Sequence, residues 1–210
     1  MGSMDRVIFD EILFKNKSIM KGKVLNIGSG VRSYHELVEG ELINLDKYVN
    51  VFDGVEVDIV ADAEEHIPLE SESIDTVICT FVLEHTWKYD NVINEISRVL
   101  RSGGHCIIGM PYQFKTHIHP PVMDYWRFTE HSLERILAEN KLAMQNIFAA
   151  GGKYLTILEI IKSMKLDSWF SRKLRYIFTK RFTGYAKIMD MKNTHDLSWA
   201  RNYLIIAKKI

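Results

Sequence analysis

The sequence predicts an α/β fold: a doubly wound, seven-stranded, mostly parallel sheet with helices on both faces and a helical insertion before the last strand. Three observations predict it. Short apolar β-runs alternate with helix-patterned segments through the first 150 residues, as in a parallel sheet covered on both faces. A glycine turn, Gly28-Ser29-Gly30, directly follows the first run. Asp46 and Asp62 close the second and third runs. Ligands of such sheets bind at the carboxyl ends of the strands, near the switch in strand order, so the residues just after each strand are the functional candidates.

Asp5 to Met20 sets Ile8, Phe9, Ile12 and Leu13 on one side and reads as an amphipathic helix. Lys23–Ile27 is the first strand, followed by a polar, helix-compatible stretch to Glu39. Leu42–Asp46, Val57–Asp62 and Ile74–Thr80 are the next three strands. Asp90 is placed as the N-cap of a helix carrying Val92, Ile96, Val99 and Leu100 on one face. Ser102-Gly103-Gly104 is expected to stop it. His105–Met110 is the fifth strand. Thr129 caps the next helix, with Phe128 and Leu133 at the two positions of a hydrophobic staple. Lys141–Ala149 and Asn202–Lys208 complete the sheet.

The chain has 210 residues, 27 Lys+Arg, 27 Asp+Glu and 47% hydrophobic residues. At ~150 residues per domain this is one domain with an appended subdomain. Zero net charge excludes a general nucleic-acid binder of the strongly basic kind, though not a local basic patch. Cys79 and Cys106 lie in apolar runs and read as reduced core residues of a cytoplasmic protein, not as a disulfide or a zinc site. No apolar run reaches the ~18 residues of a membrane span, and no signal peptide is evident. Met1-Gly2-Ser3 reads as a cloning scar, leaving 4–210 as the domain.

The glycine turn has two readings: a plain βα turn, or a loop that lets backbone approach a ligand. Ser33 stands where a dinucleotide fingerprint needs its third glycine, and the Gly-Lys-Ser/Thr of a P-loop is absent. Asp46 is placed to accept from two ribose hydroxyls; otherwise it is a solvated strand-end acid. Five ordered blocks then resemble a class I S-adenosylmethionine-dependent methyltransferase of the small-molecule "type 11" kind. They are Val24–Gly30; Leu45-Asp46; Ala61-Asp62-Ala63 leading to Ile67-Pro68; Ile74–Thr80 with Val82-Leu83-Glu84-His85; and Leu100–Gly104. The resemblance implies a Rossmann-like fold. It implies that Asn26, Gly28, Ser29 and Gly30 surround the methionine part of S-adenosyl-L-methionine, that Asp46 holds the ribose, and that Asp62 and Ala63 meet the adenine edge. Residues from Thr80 onward would line the methionine end, with S-adenosyl-L-homocysteine as product. Asn26 stands where the family usually has Asp or Glu, and Arg32 where it has a third glycine. Glu84-His85 could reach the site, but in this superfamily that position more often shapes the cofactor pocket.

Methyl transfer aligns acceptor atom, methyl and sulfur in line, and an alcohol acceptor benefits from a general base. The segment Thr116–Thr129 holds His117, His119, Asp124, Tyr125, Trp126 and Arg127. It resembles the His…Asp-Tyr-Trp-Arg-Phe-Thr signature of bacterial methyltransferases encoded with surface-polysaccharide genes, with Val122 where a proline is usual. His119 is read as the base and Asp124 as its orienting partner, or else Arg127 pairs with Asp124 to brace the loop. His117, Tyr125, Trp126 and Arg127 are acceptor candidates; the alternative is a packing motif closing the sheet onto the next helix. His117-Ile118-His119 has metal-like spacing without a third ligand, and no metal is expected.

Residues 152–190 carry nine Lys/Arg and three acids, a local charge of +6 against −6 elsewhere. Tyr154, Ile157, Leu158, Ile161 and Met164 form one stripe and Phe170, Leu174, Ile177 and Phe178 another, with Gly184 as a stop. The segment is read as a helical lid over the acceptor site, as a dock on anionic membrane at the inner face, or as a contact for an anionic nucleotide-sugar. Taken together, the residues and the resemblance imply O-methylation of a sugar or glycan-linked group in bacterial capsule or surface-polysaccharide biosynthesis. The acceptor would be a small molecule, a nucleotide-sugar or a lipid-linked glycan, and not nucleic acid. The rivals are a small-molecule methyltransferase of another pathway, a non-catalytic cofactor-binding regulatory protein, and, more distantly, a NAD-dependent dehydrogenase.

Overall fold

The computed structural model describes residues 4–30, 32, 34–49, 56–113, 115–116, 122–165 and 168–210. Its elements are α1 (Met4–Lys15), β1 (Lys21–Ile27), β2 (Glu39–Asp46), β3 (Ile59–Val60), β4 (Ile74–Thr80), α2 (Tyr89–Val99), β5 (Leu100–Pro111), α3 (Glu130–Glu139), β6 (Leu142–Ala150), α4 (Lys153–Ser163), α5 (Trp169–Lys192) and β7 (Asn202–Lys209). The seven strands form one sheet in the order β3-β2-β1-β4-β5-β7-β6. β7 runs antiparallel to both its neighbours, while the β1, β2, β3, β4 and β5 pairings are parallel. The order reverses between β1 and β4, which puts the crevice beside Gly28.

Alternation along the strands builds two cores, because successive side chains point to opposite faces. Leu25, Ile27, Val77, Cys79 and Ile108 join α2 and α3 on one face. Val24, Ile78, Ile107, Leu204 and Ile206 join α1 and α4 on the other. Both cysteines are free thiols, fully buried, and burial raises their pKa, so they are inert.

Several sequence expectations are corrected. Residues 34–38 form turns, not a helix. α2 starts at Tyr89 after Lys88, with no side-chain cap, so Asp90 lies inside the first turn, where its charge faces the helix N-terminus. Ser102-Gly103-Gly104 does not stop α2; it belongs to β5, and Leu100 has already turned extended. Gly104 is needed there because a Cβ would meet Arg101 O and Asp75 O at 2.9 Å, beside a register shift between Ile74 and Thr76. The third strand is only Ile59–Val60. Thr129 does cap α3, accepting from Ser132 N at 3.2 Å, and Phe128 and Leu133 are buried in the same core.

The segment after β6 is a helical hairpin, as expected, but Gly184 does not end α5. One interior glycine costs a helix only about 1 kcal/mol, and packing against α4 and α1 offsets it. The hairpin is locked by Asp190, which is buried near the end of α5 and accepts from Gly152 N, Tyr154 N and Leu155 N at 2.8, 3.3 and 2.9 Å. It thus caps α4 from another helix. Asp190→Ala should cost about 2–3 kcal/mol, the scale of a lost cap plus charged hydrogen bonds. Urea unfolding and amide exchange check this: α4 amides should exchange faster than those of β4, and unchanged α4 protection would contradict the lock.

Candidate active site

The end of β1 is shaped by close approach. Gly28 has φ +70, and a Cβ there would sit 2.3 Å from Val82 Cγ2. Gly28 N and Ser29 N both donate to Leu45 O, at 2.8 and 3.2 Å, tying the turn to β2. Asn26 is buried between the strands and donates to Arg32 O and to Asn44 Oδ1, each at 3.1 Å. It braces the loop. The Ser29 hydroxyl is fully buried with no hydrogen-bond partner among the described residues.

Asp46 closes β2 with its carboxylate held from two sides. Gly30 N donates to Oδ2 and Tyr48 N to Oδ1, both at 2.9 Å. These bonds aim the carboxylate at the glycine turn. Asp62, after β3, pairs with Lys47 at 2.5 Å and accepts from Glu64 N at 3.0 Å. That hydrogen-bonded carboxylate raises the Lys47 pKa. Ala63 is buried beside it. At the end of β4, Thr80 Oγ1 lies 2.6 Å from the Tyr34 hydroxyl. The residues expected after β1, β2, β3 and β4 are therefore gathered along one edge of the sheet.

The structure adds Phe81 and Arg6, which the sequence did not single out, and places Arg32 beside them. Phe81 takes φ 58, a left-handed conformation that is unusual for an aromatic residue and recurs at functional sites. Arg6 of α1 lies over its ring at 4.6 Å, and burial, then the nearby Arg32, lowers the Arg6 pKa. Arg32 pairs with Asp10 of α1 and lies over the Tyr34 ring. Two guanidiniums thus flank the turn and the end of β4. A cleft of about 470 Å³ opens on the α1 side, lined by Asp10, Phe14, Arg32, Tyr34, Glu36 and Leu37.

Glu84 lies in a 3-10 turn, Leu83–His85, beyond β4. Its side chain is fully buried and, among the described residues, neither oxygen meets a hydrogen-bond partner in another residue. Desolvation dominates and pushes its pKa up to about 8, opposed in part by Arg127 and Arg6. The His85 ring nitrogen Nε2 is 3.8 Å away, while Nδ1 meets Met123 O at 2.6 Å.

Above this turn lies the aromatic loop. Tyr125 N and Trp126 N donate to Glu84 O at 2.7 and 3.2 Å. Asp124 and Arg127 form a two-bond ion pair, with Nη2 2.8 Å from Oδ2, and the Asp124 side chain is almost wholly enclosed. The Asp124 carboxylate raises the Arg127 pKa. Trp126 donates Nε1–H to Thr86 O at 2.9 Å and packs on Tyr89. The exposed rings are Tyr125 and Trp87, and Trp87 stacks on Trp126 at 5.4 Å. Trp87 was missed because it lies outside the signature, one turn beyond Glu84. His117 and His119 lie outside the described residues. Among those residues, no group of three His, Cys, Asp or Glu side chains is placed to hold a metal.

Three comparisons bear on this edge of the sheet. A family profile described as "Methyltransferase domain" matches residues 25–108, which spans Asn26 through Glu84. An uncharacterized protein of Methanocaldococcus jannaschii is 33% identical over 115 residues, covering 51% of this chain and 50% of that protein. The chain thus spans half the length of the curated relative it matches. Among solved structures, a SAM-dependent methyltransferase from Archaeoglobus fulgidus superposes with TM-score 0.59 at 19% identity, over 99% of this chain and 95% of that one. Phosphoethanolamine N-methyltransferase 2 of Haemonchus contortus, in complex with S-adenosyl-L-methionine, gives 0.56 at 18% identity, over 98% of this chain and 57% of that one. The chain has the Rossmann-like methyltransferase fold.

Proposed function

We propose that this chain, whose residues 25–108 match a methyltransferase domain, transfers a methyl group from S-adenosyl-L-methionine to an oxygen of a sugar or glycan-linked acceptor. The observation that carries the cofactor is Asp46. Its carboxylate is aimed at a glycine turn by two backbone amides, and that turn carries a buried Ser29 hydroxyl with no hydrogen-bond partner among the described residues. That donor set fits an adenosyl ligand: Asp46 for the ribose hydroxyls, Asp62 and Ala63 for the adenine edge, and Arg6 and Arg32 for a carboxylate at the methionine end. Asn26 and Arg32, the two departures from the family pattern, both brace the loop here, which supports reading the turn as competent.

When bound, the cofactor supplies a methyl carbon made electrophilic by its sulfonium. That carbon would be offered to the acceptor oxygen, with the homocysteine product as leaving group, and a hydroxyl acceptor would give up its proton to a base of the chain. The task of the chain is alignment and proton handling. His119 is the proposed proton acceptor. The Asp124–Arg127 pair holds the loop over the end of β4. Tyr125 and Trp87 offer open aromatic faces to a sugar ring. A phosphate or phosphoramidate oxygen would need only the positioning groups. We place the acceptor in capsule or surface-polysaccharide assembly, carried on a nucleotide or a lipid, with the protein working in the cytoplasm.

The test is methyl transfer from labelled cofactor to a panel of nucleotide-sugars and lipid-linked glycans. His119→Ala should lower kcat on a hydroxyl acceptor by about 100-fold or more, as loss of a general base does, with homocysteine-product affinity unchanged. Equal turnover of that variant would remove His119 from the reaction.

A further inference from the structure

We propose that the outward face of the α4–α5 hairpin docks on an anionic lipid bilayer. The inference stands on this surface alone and does not depend on the methyl-transfer reading.

α5 is a 24-residue helix with an inverted dressing. Its inward side buries small and polar residues: Thr179, Ala186 and Asp190. At 100° per residue, Leu174, Ile177, Phe178, Tyr185 and Ile188 fall on the opposite side. Each of these is 44–54% exposed. Trp169 and Tyr176, more exposed still, carry the ammonium groups of Lys173 and Lys180 over their rings at 4.9 and 5.9 Å. No acid occurs between Ser168 and Met189, while six Lys/Arg do. The one acid near the end, Asp190, is buried as the cap of α4. α4 adds Ile157 and Ile160, and Met164 just beyond its end, also about half exposed. Ile157 and Met164 of the first stripe and Leu174, Ile177 and Phe178 of the second are thus exposed, while Leu155 and Leu158 are the buried pair of α4.

Arg181 lies on this aliphatic and aromatic face with Lys173 and Lys180 beside it, while Lys187 pairs with Glu11 and the exposed acid of α4, Glu159, pairs with Lys162. That dressing selects its occupant. A second copy of the chain would set cations against cations in a two-fold contact. A nucleic acid would meet the Lys and Arg but leave the aliphatic side chains uncovered, and the rest of the chain carries −6. An anionic bilayer satisfies both chemistries. Its headgroups meet the cations, its acyl boundary takes Leu, Ile and Phe, and Trp and Tyr lie at the level between. Among the described residues no helix is long and apolar enough to cross a membrane, so the helix lies in the plane of the surface.

The experiment is co-sedimentation of the full chain with vesicles of phosphatidylcholine containing about 30% phosphatidylglycerol, against phosphatidylcholine alone. Pelleting with the anionic vesicles at low salt, weakened by added salt, is expected. Each basic residue near such a surface is worth about fivefold in binding, so the triple variant Lys173→Glu, Lys180→Glu, Arg181→Glu should bind at least ~100-fold less. Ile177→Ser with Ile188→Ser should also lose binding at unchanged charge. All five sites are exposed, and circular dichroism confirms that each variant keeps its helix content. No pelleting at low salt would overturn the proposal. So would undiminished binding of both variants, or a concentration-dependent dimer that the Ile variants abolish.

Discussion

Asp46→Ala should weaken S-adenosylhomocysteine binding by roughly a hundredfold to ten-thousandfold without unfolding the chain. The side chain ends β2 with both oxygens aimed by Gly30 N and Tyr48 N. A ribose offers it two hydroxyl donors at once. A hydrogen bond to a charged group contributes about 1.5–3 kcal/mol, so losing two corresponds to that range. The fold should survive because the strand pairing of β1 and β2 runs through backbone from Lys21 to Ile27. Asp62→Ala supplies the contrast. Asp62 is partly exposed and engaged by Lys47, so its loss should cost about tenfold at most, in line with a solvent-screened contact. Titration calorimetry on both variants checks the pair, and equal losses would contradict the assignment of ribose and adenine to these acids.

Glu84→Gln should make the protein markedly more stable at pH 8 and leave it nearly unchanged at pH 5. Burial raises the folded-state pKa of Glu84 from the ordinary 4.5 to about 8. The folded chain therefore holds a proton that the unfolded chain releases. Stability from this group is complete below pH 4.5 and drains away as pH rises through 8, at about 1.4 kcal/mol per unit within the window. Glutamine is the neutral isostere and has no such slope. Its advantage should grow to roughly 3–5 kcal/mol by pH 8. The groups around it act in opposite senses, Arg127 and Arg6 favouring the charged form and Asp124 the neutral one. Urea unfolding of both proteins from pH 5 to 8 gives the two slopes, and parallel slopes would show that Glu84 ionises freely in the fold.

Strands β1, β2, β4 and β7 were legible because each is an apolar run ended by a glycine or a polar residue. Gly28 and Asp46 became cofactor candidates because they follow or close strands, whereas Asp62 and Thr80 did so through the family resemblance. Arg6 was not legible, because only folding brings α1 over Phe81. Glu84 was noticed beside His85, but a sequence does not reveal that a carboxylate is sealed from water. The helix boundaries around Asp90 and Gly104 failed where tertiary pairing overrode local signals, since Leu100 is drawn into the sheet opposite Ile74. Which side of the hairpin is covered was not legible, for a plainer reason. Periodicity identifies an apolar face, and in α5 the covered face is the other one, closed by Thr179, Ala186 and Asp190.

The most direct measurement is the thermal shift of the full chain with S-adenosylhomocysteine and, separately, with NAD. A ligand at about one hundred times its dissociation constant adds ~2.7 kcal/mol to stability. A saturable rise in Tm with S-adenosylhomocysteine, absent with NAD and abolished in Asp46→Ala, is the result this account predicts. No shift with millimolar S-adenosylhomocysteine, or an equal shift with NAD, would contradict it.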